Sequence, residues 1–193
     1  MSVKQNVKNL KLIEVFSKLK TSQLFWVLSF SLLTFLSAQV VVPVQPVPFT
    51  LQTMIVLLSG AFLGSRNGMI SQVVYIAAGA LGIPVFAEYS FGFAKLIGPT
   101  GGYLLAFPVA AYVVGYLIER KSATWMVALS MLVGSLIILL SGSLFLSIFL
   151  NGDMNKALFS GAIIFSIWDL IKITAAISIY KAFSKKYPRL PNI

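Results

Sequence analysis

The sequence predicts an all-α integral membrane protein, a bundle of six transmembrane helices with both termini in the cytoplasm. Of the 193 residues, 58% are hydrophobic and only 10% are charged, whereas soluble globular domains have about 45–50% and about 25%. Apolar runs of about 20 residues, the length that crosses a bilayer, alternate with short polar connections. The fifteen Lys and Arg residues, which give a formal net charge of +10, lie almost entirely in those connections and in the terminal segments.

The first two predicted spans flank a proline-rich loop. The segment from Gln23 to Val42 contains no formal charge and predicts the first helix. Pro43, Pro46 and Pro48 then interrupt helical structure, because proline lacks the N–H donor and disfavours the helical conformation of the preceding residue. A second, short helix is expected from about Phe49 to Leu63.

A polar turn and a mixed loop bound the third predicted span. The group Gly64-Ser65-Arg66-Asn67-Gly68 predicts a turn, the segment from Met69 to Ile83 predicts the third helix, and Pro84 ends it. The connection from Ala87 to Gly98 is longer and mixes charged, polar and aromatic residues. Loops of this kind often carry function.

Three longer apolar segments predict the remaining helices. The fourth begins near Pro99 and runs to Ile118, with Pro108 inside it as a candidate kink. The fifth, from Ala123 to Leu150, has 28 residues without a charge, more than a perpendicular span requires, so we expect it to tilt or to extend beyond the bilayer. The sixth runs from Lys156 to Phe183.

The distribution of basic residues predicts the orientation. Twelve of the fifteen fall in the N-terminal arm, in the connections at Arg66 and Arg120, and at the C-terminal end, whereas the loops on the other side hold only Lys95 and Lys156. The positive-inside rule therefore places both termini in the cytoplasm. In a membrane protein this charge indicates orientation and affinity for the anionic headgroups of the lipid bilayer, and we expect no nucleic-acid partner.

The N-terminal arm carries lysines and precedes an apolar run, as a signal peptide would. That run is about 20 residues, longer than the 7–15 of a signal peptide, so we expect it to be retained as the first span. In the arm, Val3, Val7 and Leu10 recur at near-helical spacing, which suits either a helix on the membrane surface or a solvated segment. The predicted parts of the chain are a basic cytoplasmic arm (1–22), the six-helix domain (23–183) and a basic cytoplasmic tail (184–193).

Two residue types are missing from the sequence, and their absence narrows the chemistry. There is no cysteine and no histidine, which removes disulfides, thiolate nucleophiles, imidazole bases and most zinc, haem and iron–sulfur sites. No phosphate-binding loop of the form GxxxxGK[ST] occurs, so the chain cannot hydrolyse ATP by that route. We expect no enzyme, no metal site and no cofactor.

Two opposite charges near the middle of the sixth predicted helix are the main functional candidates. Asp169 and Lys172 are spaced i and i+3, so they lie on one face of the helix and can approach each other. Each would cost roughly 2.5–3.5 kcal/mol in the centre of a membrane on insertion scales. One interpretation is an internal ion pair that clamps a neighbouring helix. The other is a cavity wall that offers an acceptor and a cation to a polar ligand.

Other polar groups are weaker candidates. The Gln52 amide must find a partner in lipid, whereas Thr50 is expected to cap its helix. The aromatic residues around Tyr89 suit either a lid or an interfacial belt. The start of the fourth helix, Gly98-Pro99-Thr100-Gly101-Gly102-Tyr103, is either an ordinary helix start or an anion site. Four further residues are expected to mediate helix packing: Ser71, Gln72, Ser166 and Thr174.

Three segments together resemble one known family. Val47-Pro48-Phe49-Thr50-Leu51-Gln52-Thr53, Gly79-Ala80-Leu81-Gly82-Ile83-Pro84-Val85-Phe86 and the Gly98 to Tyr103 block, in this order and spacing, resemble the biotin transporter family BioY. Members are substrate-capture (S) components of energy-coupling factor (ECF) transporters. The resemblance implies a six-helix bundle in the bacterial cytoplasmic membrane that takes up biotin from the outside.

The resemblance also implies roles for particular residues and partners. Asp169 would accept hydrogen bonds from the ureido group of biotin, and Lys172 would neutralise its carboxylate. Ser90, Gln52 and Tyr89 are the further substrate-binding candidates. The implied partners are a membrane scaffold subunit and two ATPase subunits. Docking on them would use small residues of the first helix, where Thr34 and Ala38 are the nearest such pair.

Two other functions stay open at this stage. The same fold would serve as the S component for another vitamin or precursor. Alternatively, the chain is a self-sufficient secondary carrier in which Asp169 is a proton site.

Overall fold

The structure, a computed structural model, describes residues 22–186 and 189–190. The predicted surface helix of the N-terminal arm lies outside these residues. The described chain forms, in order, α1 (Gln23–Ala38), β1 (Val41–Val42), β2 (Phe49–Thr50), α2 (Gln52–Ala80), a 3₁₀ turn (Ala87–Tyr89), α3 (Phe93–Leu96), α4 (Gly101–Arg120), α5 (Thr124–Phe149), α6 (Met154–Leu158), a π-helical turn (Phe159–Ile163) and α7 (Ile164–Ser184).

The long helix α2 is a hairpin of two limbs. In a straight helix, Gln52 and Tyr75 would be about 34 Å apart at about 1.5 Å per residue, yet Gln52 Nε2 donates a hydrogen bond to Tyr75 OH at 2.6 Å. The reversal occurs at Gly64, whose φ of 78° and ψ of 180° break the helix. Glycine adopts such a positive φ without steric cost. The limbs are residues 52–63 and 65–80.

This hairpin corrects the predicted boundaries of the second and third helices. The expected turn over residues 64–68 is wrong, because only Gly64 leaves the helical conformation and Ser65 already starts the second limb. The expected helix start at Phe49 is also wrong, because Phe49 and Thr50 pair with Val42 and Val41 in a two-stranded antiparallel ladder.

Three helical segments are long and apolar enough to cross a membrane. They are Gly101–Arg120, Thr124–Phe149 and Met154–Ser184, the last comprising α6, the π-helical turn and α7. Helix α1 is apolar but has only 16 residues. The two limbs of α2 are roughly 18 and 24 Å long at about 1.5 Å per residue, less than the ~30 Å hydrocarbon core. The chain is therefore a mostly helical membrane protein with three long apolar helices.

The hairpin α2 lies at the centre and packs against α1, α4 and α7, while α5 packs mainly against α4. A buried hydrogen-bond network ties α1 to both limbs: Gln72 Nε2 lies 3.1–3.3 Å from Ser59 Oγ, Ser71 Oγ and Thr34 Oγ1, which share its two N–H donors. The packing roles predicted for Ser71 and Gln72 are thereby confirmed.

Two other packing predictions are wrong. Ser166 and Thr174 are exposed, and each hydroxyl donates to a carbonyl four residues earlier in its own helix. The docking pair proposed on the first helix is likewise corrected. Thr34 and Ala38 have no exposed surface, because this face of α1 packs on the hairpin, so they are not available to a partner subunit.

At the end of α4, one carboxylate joins three parts of the chain. Glu119 accepts hydrogen bonds from the Ser65 amide at 3.0 Å and the Ser65 hydroxyl at 2.9 Å, so it caps the start of the second limb. Its Oε1 also lies 2.7 Å from an Arg189 nitrogen. Beside this pair, the Leu190 amide donates to the Phe62 carbonyl at 2.8 Å.

We expect Glu119→Ala to lower the free energy of unfolding by about 1–2 kcal/mol, because it removes both bonds to Ser65. Arg189→Ala should cost less than about 0.5 kcal/mol, since this ion pair is exposed to solvent. The measurement is denaturant unfolding of the purified protein in detergent. Equal losses for the two variants would show that the ion pair, and not the helix cap, is the stabilising contact.

Candidate functional site

A cavity of about 610 Å³ lies among the connecting loops and the helices that carry the polar candidates. Its volume is within the range of about 300–1,000 Å³ typical of small-molecule sites. The pairing of β1 with β2 holds the proline-rich loop as an arch, and all six loop residues from Pro43 to Pro48 line the cavity. The remaining lining residues are Thr50, Gln52, Thr53, Phe86, Ala87, Glu88, Ser90, Lys95, Gly98, Pro99, Thr100, Tyr103, Leu104, Phe107, Leu139, Phe165, Asp169 and Lys172.

The two intramembrane charges meet on the wall of this cavity. Lys172 Nζ lies 2.5 Å from Asp169 Oδ1, as the i, i+3 spacing predicts. The residues are 8% and 3% exposed, respectively. Both interpretations of the pair therefore hold in part: the charges neutralise each other, and they also border a space large enough for a ligand.

Neighbouring helices fix the orientation of both side chains. Ser135 of α5 donates its hydroxyl proton to Asp169 Oδ2 at 2.6 Å. Lys172 Nζ donates to Thr53 Oγ1 at 2.6 Å and to the Thr50 carbonyl at 3.3 Å. With Asp169, these contacts engage all three ammonium protons of Lys172. The carboxylate retains capacity, because Lys172 is the one partner of Oδ1 in the described chain and a carboxylate oxygen can accept more than one hydrogen bond.

Gln52 lines the cavity and has the internal partners that an amide in a membrane needs. It donates to Tyr75 OH at 2.6 Å and accepts from Thr50 Oγ1 at 2.9 Å. Tyr75 in turn donates to the Val85 carbonyl at 3.0 Å. This chain of hydrogen bonds connects the start of α2 to the loop after it and holds one side of the cavity rigid.

The loop after α2 brings only some of the predicted residues to the cavity. Ser90 lines it, with its hydroxyl donating to the Ala87 carbonyl at 2.7 Å. Tyr89 does not line it, and this residue is 63% exposed. Phe91 and Phe93 are also exposed and outside the lining, whereas Phe86 is buried and belongs to it. The exposed rings therefore suit an interfacial belt better than a lid over the ligand.

The start of α4 borders the cavity but offers few free donors. Gly98, Pro99 and Thr100 line the space. The amides of Gly101 and Tyr103, however, already donate to the carbonyls of Gly98 and Thr100 at 2.8 and 3.2 Å. This favours the ordinary helix start over an anion site.

Several lining residues were not singled out from the sequence. Phe165 lies one turn before Asp169 on the same helix face, and its ring centroid is 4.3 Å from that of Phe49. Tyr103 donates its hydroxyl to the Gly161 carbonyl at 2.8 Å, in the π-helical turn that precedes α7. The i, i+4 relation to Asp169 was a usable signal for Phe165. Ser135, which contacts Asp169 without lining the cavity, offered no such signal, since it is one of several serines in an apolar helix.

The chemistry available at the cavity is recognition by charge and hydrogen bonds. Asp169 and Lys172 are supported by hydroxyl groups, and Lys95 and Glu88 also line the cavity. Among the described residues, no group of three or more acidic side chains is placed to hold a metal ion. The arrangement suits a guest with both polar and apolar parts.

Comparison with known proteins gives a consistent result. The BioY family profile matches residues 8–189. A probable biotin transporter BioY of Pyrococcus horikoshii is 40% identical over 161 residues, covering 83% of this chain and 95% of that protein. The biotin transporter BioY of Thermotoga maritima is 40% identical over 148 residues, covering 76% of this chain and 86% of that protein.

A solved structure extends the likeness to the whole fold. The crystal structure of the S-component for biotin from an ECF-type ABC transporter superposes with a TM-score of 0.80 at 24% sequence identity. The match covers 96% of this chain and 95% of that one. From the family profile and the close relatives, this chain belongs to the BioY family.

Proposed function

We propose that the chain captures biotin at the outer face of the membrane and serves as the S component of an ECF-type transporter. The relatives that carry the name biotin transporter support the substrate, and the superposed S-component supports the role. The observation on which the proposal depends is the cavity of about 610 Å³ bordered by the Asp169–Lys172 pair. Ionisable residues inside a membrane usually mark a substrate or ion pathway, and here the pair borders a cavity of the size of a small-molecule site.

The cavity wall suits the two halves of biotin. The ureido ring carries N–H donors, and Asp169 has acceptor capacity left on Oδ1. The thioether ring and the alkyl chain need an apolar surface. The residues that provide it are Val47, Leu104, Phe107, Leu139 and Phe165, all buried.

Two lysines are candidates for the carboxylate of biotin. Lys172 was the first choice from the sequence, but its three protons are engaged by Asp169, Thr53 and the Thr50 carbonyl. Lys95 also lines the cavity, and its side chain makes no hydrogen bond or ion pair with the described chain. We therefore assign the carboxylate to Lys95. In this assignment Lys172 pairs with Asp169 and holds its carboxylate in position.

Binding of labelled biotin to the detergent-purified protein tests both parts of the proposal. Wild-type protein should bind biotin in preference to other labelled vitamins. Lys95→Ala should lower the affinity for biotin about tenfold, which corresponds to the loss of one charge-assisted hydrogen bond. The affinity for biotin amide should fall much less. Lys121→Ala, a change of the same kind on a lysine outside the cavity, is the control.

The outcomes separate the alternatives. Selective binding of a different vitamin would show that the proposed substrate is wrong, while the proposed fold and S-component role would stand. Selective loss of biotin over biotin amide in Lys172→Ala, and not in Lys95→Ala, would return the carboxylate to Lys172. Uptake by liposomes that contain this chain alone would indicate a self-sufficient carrier.

The topology and location that go with this function are part of the proposal. The hairpin limbs supply the second and third of six spans, with α1, α4, α5 and the α6–α7 segment as the others. The positive-inside rule then places both termini in the cytoplasm and the cavity on the outer side of the bacterial cytoplasmic membrane. The implied partners are a scaffold subunit and two ATPase subunits. The chain itself performs binding and transport and no catalysis.

A further inference from the structure

One side chain, that of Gln39, joins the end of α1 to the loop segment 86–90. Its Oε1 accepts a hydrogen bond from the Tyr89 amide at 3.1 Å. Its Nε2 donates to the Phe86 carbonyl at 3.1 Å and to the Phe35 carbonyl at 3.3 Å. We call the two bonds to segment 86–90 the Gln39 clamp.

The clamp supports an unusual backbone. Glu88 and Tyr89 have φ values of 58° and 53°, in the left-handed region that residues other than glycine seldom adopt. A residue in such a conformation costs of order 1–3 kcal/mol and persists only where its surroundings fix it. Ser90 supplies part of that support by donating to the Ala87 carbonyl. The bond from the Tyr89 amide to Gln39 supplies the part that comes from another helix.

Segment 86–90 is also a wall of the cavity. Phe86, Ala87, Glu88 and Ser90 line it. Phe86 is anchored at the base, because its ring packs edge to face on Tyr75 at 5.7 Å and covers the surface of Gly79. The rest of the segment has no comparable apolar anchor, since Glu88 and Tyr89 are exposed. Backbone bonds from the Phe86 amide to the Ser90 carbonyl and from the Gly92 amide to the Gly79 carbonyl hold the ends of the segment, and Gln39 ties its exposed middle to α1.

We infer that Gln39 is a positioning residue that holds segment 86–90 against α1 and thereby limits the rate at which a ligand enters and leaves the cavity. Opening the segment requires the two bonds of the clamp to break together. Without them, the strained residues at 88 and 89 relax to ordinary backbone conformations and the wall swings open more often. The inference concerns the cavity itself, and only the identity of the ligand rests on the proposed function.

A thiol placed inside the cavity reports this opening without any ligand. The sequence contains no cysteine, so Leu104→Cys introduces a single one on α4, at a buried position that lines the cavity. In this background, Gln39→Met keeps the length of the side chain and removes both bonds. The reaction rate with a bulky polar maleimide should rise about tenfold, the effect of losing two net hydrogen bonds.

Two further variants sharpen the test. Gln23→Met is the same change at the other end of α1, on an exposed side chain, and should leave the rate unchanged. Gln39→Glu keeps the acceptor for the Tyr89 amide but loses the donor to the Phe86 carbonyl, so its rate should lie between those of Gln39→Met and the parent. A rate in Gln39→Met equal to that of the parent, with the helical circular dichroism retained, would overturn the inference. If Gln39→Met does not fold, Gln39→Glu decides by the same criterion.

Biotin kinetics in the cysteine-free chain give the second readout. Gln39→Met should raise the association and dissociation rate constants together, by about the same factor as the maleimide rate, because the contacts made by the bound ligand are unchanged. A change in dissociation alone would assign Gln39 to ligand contact and contradict the inference. If wild-type protein binds no biotin, the proposed substrate fails, and the maleimide rates still decide the role of Gln39.

Discussion

The variant Asp169→Ala should lose biotin binding by at least about a hundredfold and should also unfold more easily. Binding falls because the ureido group loses its acceptor, and two charge-assisted hydrogen bonds are worth about 3 kcal/mol or more. Stability falls because Lys172, which is 8% exposed, keeps a buried charge without its counter-ion. Breaking one partner of a buried ion pair typically costs about 3–5 kcal/mol.

A double variant separates these two effects. Replacing a buried ion pair with apolar residues is often neutral or stabilising, since neither charge then has to be desolvated. Asp169→Ala combined with Lys172→Met should therefore recover most of the unfolding free energy lost in Asp169→Ala, yet still fail to bind biotin. The measurements are denaturant unfolding in detergent and equilibrium binding of labelled biotin on the same preparations.

A second carboxylate provides the control. Asp153 caps α6 by accepting a hydrogen bond from the Lys156 amide at 2.9 Å, outside the cavity. Asp153→Ala should cost about 1 kcal/mol of stability, as a lost helix cap does, and leave biotin binding unchanged. Recovery of binding in the Asp169/Lys172 double variant would show that the pair serves the fold alone and would refute its assignment to the ligand.

The sequence was informative where a polar or charged residue lies in an otherwise apolar helix. Asp169 and Lys172 stood out because charges are costly in an apolar helix, and their contact followed from the helical spacing of three residues. Gln52 stood out in the same way, and the structure gives it hydrogen-bond partners beside the cavity. Composition and apolar run length likewise sufficed to predict a helical membrane protein, and the three motif blocks sufficed to predict the family.

Neighbours from distant parts of the chain could not be predicted in this way. Ser135 lies 34 positions from Asp169, and nothing in an apolar helix with several serines marks the one that faces the carboxylate. Gln39 is an unremarkable polar residue at a helix end until the fold brings the Tyr89 amide to it. The assignment of Lys95 also needed the structure, because only the contacts of Lys172 show that its protons are engaged.

The hairpin at Gly64 shows that local sequence can indicate a chain reversal without giving its length. The polar residues from Gly64 to Gly68 correctly indicated a reversal, but its length depended on a residue 54 positions away. Because Glu119 caps the Ser65 amide, the second limb can start directly after a single left-handed glycine. Local sequence favours a five-residue turn, and the tertiary contact shortens it.

Replacing Gly115 with alanine should be among the most destabilising single changes in the bundle, at about 3 kcal/mol. Gly115 lies where α4 crosses the Gly64 reversal, and a Cβ atom there would fall 2.6 Å from Ser65 Cα and still closer to the Ser65 nitrogen. These are backbone atoms, which cannot rotate away, so the helix itself must shift. Gly134→Ala is the matched control, because its nearest neighbours are methyl groups of Val114 and Leu57, which can adjust.

The shift of α4 in Gly115→Ala should also break the hydrogen bonds between Glu119 and Ser65. The effects of Gly115→Ala and Glu119→Ala on stability should therefore be coupled, and a double-mutant cycle can measure this. If Gly115→Ala already displaces Ser65 from Glu119, adding Glu119→Ala should cost little more. The double variant should then lose about 1 kcal/mol less than the two single variants together. Strict additivity in denaturant unfolding would mean that α4 accommodates the methyl group without moving Ser65. In that case the close approach of Gly115 would not determine the position of the hairpin.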